Sequence, residues 1–292
     1  VNPVLSIVIP SFNRADLLNL CLGSLRVHAP ANTEILVIDD GSANAVISEA
    51  ALRFPEVRVL RLCKQSGFCI AANVGIASAN APIVELLNDD TEVTAGWAEA
   101  ALGCFRDPAI VAVAPLVLQL DEKGLAAGVA PLIDSAGDDY DLGGFAQKRW
   151  HDCPLGAAGR FVAQPVWGAS ASAAFYRRES VLAAGGFPND FGAYFEDVDL
   201  AHRLNRNGGV TQFQPASVVW HRVSASYGRR PSREILVQQS RNEELVFWRN
   251  VCSQSLRHLP RHGLVLLAKA YRRLREGTLT PWMQGRLQAW VG

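Results

Sequence analysis

The first 120 residues alternate short, nearly unbroken apolar runs with segments of helical period. LSIVIP (Leu5–Pro10), EILVID (Glu34–Asp39), VRVLRL (Val57–Leu62), PIVELL (Pro82–Leu87) and IVAVAPLVL (Ile110–Leu118) read as strands. Between them, Ala15–Val27, Ala45–Phe54, Gly67–Ala79 and Trp97–Phe105 read as helices. A strand that is apolar on both faces has to be covered on both faces. A helix between consecutive strands makes parallel pairing the natural connection. The pattern therefore predicts an α/β fold with a mainly parallel central sheet flanked by helices.

Beyond this point the rhythm breaks. Gln119 to Pro165 is Gly-rich and reads as irregular, with DSAGDDYDLGG at its centre. ASASAAFYRRESVLAAGGF then reads as a strand running into a short helix that stops at Gly185-Gly186. Phe195–Gly209 reads as a helix with acids in its first turn, and TQFQPASVVWHRV as extended chain. From Arg241 onward helical patterning dominates, and Ser255–Arg275 is expected to form an amphipathic helix. These readings divide the chain into a catalytic-type unit at 1–250, with halves at about 1–120 and 121–250, and a helical extension at 251–292.

Composition narrows the function. The formal net charge is zero, which gives no global electrostatic case for nucleic acid. The charge is uneven, however. Residues 251–292 carry seven Lys/Arg against one acid, a net +6 that leaves −6 on the rest. That tail is expected to touch an anionic surface, such as the inner face of the cytoplasmic membrane. The six cysteines show neither a CxxC pair nor a regular framework, which points to a reducing, cytoplasmic setting. No apolar run reaches the roughly 20 residues needed to span a bilayer. The chain begins at Val1 and its one methionine is Met283, so it is expected to be a piece of a longer protein.

In an open parallel sheet, ligands bind beyond the carboxyl ends of the strands. Four such ends carry polar groups: Pro10-Ser11-Phe12-Asn13-Arg14, Asp39-Asp40-Gly41-Ser42, Lys64-Gln65-Ser66-Gly67 and Asn88-Asp89-Asp90. The first strand is not followed by Gly-x-Gly-x-x-Gly, and no Gly-x-x-x-x-Gly-Lys-Ser/Thr loop is present. A bound diphosphate therefore lacks the usual glycine cradle and needs another counter-charge. Asp90, with Asp89 beside it, suggests a divalent cation, Mn²⁺ or Mg²⁺, shared with a substrate diphosphate. The adjacent acids are tolerable if positive charge sits between them.

Five stretches together carry a family resemblance: LSIVIPSFNRADLLNLCLGSL, ILVIDDGS, SGFCIAANVGIASANAPIVELLNDDTEV, GASASAAFYRRESVLAAGGFPNDFGAYFEDVDLAHRLNRNGG and VVWHRVSASYG. Their order and spacing resemble the inverting glycosyltransferases of family 2, which have the GT-A fold, over roughly Val4 to Asn250. Within the family the chain looks most like the rhamnosyltransferase-type enzymes of bacterial surface polysaccharide synthesis.

The resemblance implies a nucleoside diphosphate sugar donor, UDP- or dTDP-linked, and a glycan or lipid-linked acceptor. It implies roles at matching positions. Pro10, Phe12 and Arg14 would border the nucleotide, Asp40 would accept from a pyrimidine N3–H, and Gly67 and Asn73 would line the nucleotide-sugar. Asn88-Asp89-Asp90 stands at the family's Asp-x-Asp position. Because Asn88 replaces its first acid, Asp90 is the metal ligand and Asp89 joins the nucleotide-binding group. His221 would reach the metal or the diphosphate. Glu196-Asp197 matches the acceptor-activating pair, with Asp197 as the base. Trp167 and Gly168 would meet the acceptor sugar. A non-catalytic sugar-nucleotide-binding module is the alternative kept open by Asn88. A nucleotidyltransferase fits less well, since PSFNRAD is not its Gly-rich basic loop.

Overall fold

The structure, a computed structural model, describes residues 2–121, 125–126, 128–157, 159, 161–223, 231–253 and 255–291. The end of the VVWHRVSASYG motif, residues 224–228, lies outside the described residues.

The expected strands and helices of the first half form. They are β1 (Leu5–Ser11), α1 (Ala15–His28), β2 (Thr33–Asp39), α2 (Val46–Ala51), β3 (Val57–Arg61), α3 (Phe68–Ser78) and β4 (Ile83–Leu87). A short β5 (Thr91–Val93) precedes α4 (Trp97–Cys104) and the long β6 (Ile110–Gln119). β3, β2, β1 and β4 pair in parallel in that order. Side chains alternate along β1 as period two requires. Ile7 and Ile9 enter the core under α1, α2 and α4, where Leu18, Leu22, Ile47 and Trp97 are buried. Val8 enters the opposite core with Cys69, Ala72 and Ile76 of α3. α3 is built of small residues because it lies close to the sheet: a Cβ at Gly75 would collide with Val8.

Gln119–Pro165 is more regular than the sequence suggests. It contains β7 (Ile133–Ser135), the hairpin β8 (Asp138–Asp141) and β9 (Phe145–Lys148), and β10 (Gln164–Val166) at its end. Each strand is three or four residues long, too short to show a period. The hairpin turns at Gly143-Gly144, and Gly144 takes φ +87°, which a side chain would oppose.

β11 (Ala173–Arg177) runs antiparallel between β4 and β6, and α5 (Arg178–Ala183) follows it. Next come α6 (Glu196–Arg206) and β12 (Val210–His221), which pairs in parallel with β6. The sheet order is therefore β10-β12-β6-β11-β4-β1-β2-β3, with β5 on β12 and β7 on β6.

The C-terminal helices are α7 (Arg233–Val246), α8 (Leu259–Arg275) and α9 (Leu279–Val291). Residue 250 falls within a π-helical turn, Phe247–Cys252, that continues α7. α8 starts at Leu259, four residues later than expected from Ser255, behind a 3₁₀ turn at Leu256–His258 and with Pro260 in its first turn. Lys269, one of the seven cations counted in residues 251–292, is buried and paired with Glu243. Among the described residues no helix is long and apolar enough to cross a membrane.

Candidate active site

The strand ends meet at one edge of the sheet. There a cleft of about 400 Å³ is lined by Pro10, Arg14, Asn88, Asp89, Asp138, Lys148, Glu196, Asp197 and His221, among others. Its floor answers why β4 ends in two acids. Asp89 and Asp90 are both buried, and the Arg14 guanidinium reaches both, pairing with Asp89 Oδ1 and lying 3.2 Å from Asp90 Oδ2. Ser11 Oγ donates to Asp89 Oδ2 at 2.7 Å. Burial pushes Asp89 up to about 6, against the pull of Arg14 and Ser11. The protein thus supplies a cation of its own between the two carboxylates.

The neighbouring loops are sewn together. Asp40 accepts from the backbone N–H of Ser66 at 2.7 Å and of Gly67 at 2.9 Å. Asn13 Oδ1 accepts from Ala43 N, and Ser42 Oγ accepts from Asn13 N, both at 2.9 Å. Gly67 sits at φ +92° at the start of α3, and Phe12 is half-buried in the first loop.

The opposite wall is the start of α6. Tyr194 and Phe195 both take left-handed backbone, φ +70° and +63°, a strained conformation for bulky residues. Asn242 of α7 holds it. Its fully buried amide nitrogen lies 3.0, 2.8 and 2.9 Å from the carbonyls of Phe191, Ala193 and Tyr194. This bend delivers Glu196 and Asp197 to the cleft. Asp197 accepts from Val198 N at 2.8 Å and Ala171 N at 3.1 Å, which fixes its carboxylate. Glu196 is buried, and its Oε2 has no hydrogen-bond partner among the described residues. Burial raises the proton affinity of both, and the Asp197 charge raises that of Glu196 further.

Two cleft residues, Asp138 and Lys148, and the buried Asp134 behind them were not legible in the sequence, and all come from the segment read as irregular. Asp134 sits between two cations: Lys148 Nζ lies 3.0 Å from both of its oxygens, and His221 Nδ1 lies 3.0 Å from Oδ2. Burial opposes ionisation of Asp134, but Lys148 and His221 overcome it and hold the carboxyl below the usual range. Asp138 is buried, and its proton affinity is raised by burial and then by the Asp197 charge. The available signal was DDYDLGGFAQK, two polar four-residue runs about a Gly-Gly turn.

The pairing of β12 with β5 sets His221 opposite Thr91, so its Nε2 lies 3.2 Å from Asp90 Oδ1. Burial lowers the imidazole's proton affinity, but Asp134 and Asp90 outweigh it and bring His221 to about 8. An imidazole whose Nδ1 is held by a carboxylate while Nε2 faces an aspartate suits Mn²⁺. Among the described residues no three His, Cys, Asp or Glu side chains converge as a ready-made metal site. Asp90 and His221, 3.2 Å apart, are the residues there that could hold a divalent cation.

Of the sequence-selected residues, Phe12, Asp40 and Gly67 lie beside the cleft rather than in its lining, Asp90 is buried behind Asp89 and His221, and Asn73, Trp167 and Gly168 have other partners. The Asn73 amide is engaged by Phe187 N and O and by Asn189 Oδ1, all at 2.8 Å, and so anchors the loop after Gly186. Trp167 stacks on Tyr140, 5.6 Å between centroids, and meets His202 edge-on at 5.0 Å. Gly168 bonds the hairpin backbone at Asp138, its carbonyl 2.9 Å from Asp138 N.

A family model described as glycosyl transferase family 2 matches residues 6–183, more than half of the chain. The chain belongs to glycosyl transferase family 2. Its curated relatives include an N-acetylglucosaminyl-diphospho-decaprenol L-rhamnosyltransferase of Mycobacterium tuberculosis, 28% identical over 250 residues, which span 80% of each chain. A pre-mycofactocin glycosyltransferase of the same organism is 29% identical across 74% of this chain and 42% of its own. This family 2 enzyme thus falls with a rhamnosyltransferase-like branch.

Solved structures support the GT-A fold. GalNAc-T7 with UDP, GalNAc and Mn²⁺ superposes at TM-score 0.63 and 18% identity, covering 84% of this chain and 48% of that one. The Pyrobaculum calidifontis mannosyltransferase with GDP-Man and Mn²⁺ does so at 0.59 and 16%, covering 99% and 88%. The protein is a glycosyltransferase.

Proposed function

We propose that this glycosyltransferase transfers a hexose or deoxyhexose, with inversion, from a UDP- or dTDP-sugar to a glycan or lipid-linked glycan acceptor in bacterial surface polysaccharide synthesis. One observation carries the reading. One cleft is lined by the Arg14 guanidinium, suited to a diphosphate, and by Asp89 and His221, and on its other wall by Glu196 and Asp197, a carboxylate pair on a strained, pinned turn. The rhamnosyltransferase relative, whose name includes a polyprenol-linked sugar, supports the acceptor class.

In this mechanism the acceptor hydroxyl attacks the anomeric carbon on the side opposite the diphosphate. Its proton passes to the Asp197 carboxylate as the new C–O bond forms. The old C1–O bond breaks, and its electron pair leaves with the diphosphate. Asp197 is held for this by Ala171 N and Val198 N. Arg14 faces the charge that grows on the leaving group. Asp90 and His221 would hold a divalent cation, which supplies further charge neutralisation there. Pro10, Phe12, Asp40 and Gly67 belong to the nucleotide side of the same edge. Asn73 shapes that side from behind, and Trp167 and Gly168 support the acceptor side.

Turnover of labelled UDP- and dTDP-sugars tests the reading. Asp197→Asn is expected to keep donor affinity and lose about 10²–10⁴-fold in kcat. If Asp197→Asn stays active while Glu196→Gln does not, Glu196 is the base.

A further inference from the structure

Helix α8 is amphipathic in the wrong sense for a surface helix. Its inward side carries charge. His262 Nδ1 lies 2.7 Å from Gly143 O with its ring stacked 3.6 Å from Phe247, and Lys269 pairs with Glu243 over the Phe145 ring. Its outward side carries Leu264, Leu267, Tyr271 and Leu274, whose spacing of three, four and three residues makes one stripe. These four are 68%, 70%, 64% and 62% exposed, whereas Lys269 is 9% exposed. Helix α9 adds Met283, Leu287 and Trp290 at the same kind of spacing, all exposed. Water gives no reason for such a stripe to face outward, so it marks a partner surface.

The flank identifies the partner. Arg261, Arg272 and Arg275 fall on one side of the stripe at helical spacing; Arg261 pairs with Asp141, Arg272 lies 3.5 Å from the exposed Glu276, and the Arg275 guanidinium lies over the Tyr271 ring. Glu276 is the one acid in residues 251–292. In an antiparallel two-fold contact with a second copy, this basic flank would meet itself. An anionic bilayer complements both the charge and the apolar stripe.

We propose that α8 lies in the plane of an anionic membrane surface, with Leu264, Leu267, Tyr271 and Leu274 in the headgroup boundary and the arginines on the phosphates. The surface serves the reading of a lipid-linked acceptor given above, and rests on it for its purpose. The β8–β9 hairpin links the two places. Its turn at Gly143 is held by His262, and its other end supplies Asp138 and Lys148 to the cleft. Docking α8 therefore sets one wall of the cleft beside the lipid.

The full chain is sedimented with vesicles of phosphatidylglycerol and phosphatidylcholine, and with phosphatidylcholine alone. Preference for the anionic vesicles, weakening as salt rises, is expected. Leu267→Glu with Tyr271→Glu should cut binding at least about tenfold. Arg272→Glu with Arg275→Glu should cut it by more than about fivefold per site. All four side chains point outward, so melting temperatures should hold. Undiminished binding of the Leu267/Tyr271 variant overturns the proposal, as does equal binding to both vesicle types. A lipid-free dimer that this variant dissolves also overturns it. Sugar transfer to a polyprenyl diphosphate-linked sugar in detergent is measured separately. Vesicle binding without transfer upholds the surface and removes the acceptor reading.

Discussion

At the scale of the residue, Asn242 and Glu85 show two opposite uses of a buried polar group. Asn242 spreads one amide over three carbonyls and so fixes the left-handed bend ahead of Glu196. Asn242→Ala is expected to cost about 3 kcal/mol, because buried carbonyls lose their donors. It should also lower kcat by up to about 10²-fold through misplacement of the carboxylates, with donor affinity less affected. Asn242→Asp should not rescue either loss, since a carboxylate cannot donate; denaturant melts and steady-state kinetics check both. Glu85 lies in the middle of β4, fully buried, and among the described residues its side chain accepts from Trp97 Nε1 alone, at 3.0 Å. Burial pushes it up to about 8, from an ordinary value of 4.5. Between those two values the folded state holds a proton that the unfolded state does not. Stability should therefore fall as pH rises from about 4.5 to about 8, by roughly 3 kcal/mol at neutrality. Glu85→Gln keeps an acceptor for Trp97 and should flatten that slope. Melts of the two proteins that stay parallel across this range would remove the assignment.

At the scale of the element, the C-terminal helices are joined to the rest through ions. Arg286 of α9 pairs with Glu243 and Glu244 of α7, and His262 Nε2 lies 3.4 Å from Glu244. Burial opposes ionisation of Glu244, but His262 and Arg286 overcome it and bring it to about 2. A depressed carboxyl contributes stability above its ordinary value and loses that contribution as pH falls toward 2. Glu244→Ala, which leaves Arg286 only Glu243 and takes the acceptor from Trp248 Nε1, should cost about 1–3 kcal/mol. The exposed Glu276→Ala should cost under about 1 kcal/mol. Chemical denaturation separates the two. None of this pairing was legible beforehand. The sequence marks α8 as a basic amphipathic segment, but not which side faces in, because that depends on Glu243 and Glu244, about 20 residues away. The strands and helices of the first half were legible for the converse reason, since their signal is local and repeated. The carboxylates of the cleft were legible as strand-end and helix-start residues. Asp134, Asp138 and Lys148 were not, since three- and four-residue strands carry no period to read.

At the scale of the whole molecule, the cleft joins charges from residues far apart in sequence, so its protonation is a collective property. His221 near 8 is an imidazolium between Asp90 and Asp134 at neutral pH. Its pKa is raised, so the stability it contributes is complete below its ordinary value of 6.5 and is lost as pH rises through about 8. A divalent cation on Asp90 and His221 needs the neutral ring. Binding of Mn²⁺ with UDP should therefore release about one proton at neutrality and tighten up to about tenfold per pH unit below 8. Calorimetry in buffers of different ionisation enthalpy counts that proton. His221→Ala should abolish both effects, and no proton release would place the cation elsewhere.

The seating of β11 between β4 and β6 has a consequence for how this chain comes into being. The central strand is synthesised after both of its neighbours, more than fifty residues after β6. Until Ala173–Arg177 emerges, a growing chain that has already folded β1 to β4 exposes an unfinished edge on β4 and another on β6. Such open edges invite pairing with foreign strands. The sheet closes late and over long sequence separations, which makes folding slow. The first 120 residues, self-consistent as they look, are a half-sheet that waits for its middle.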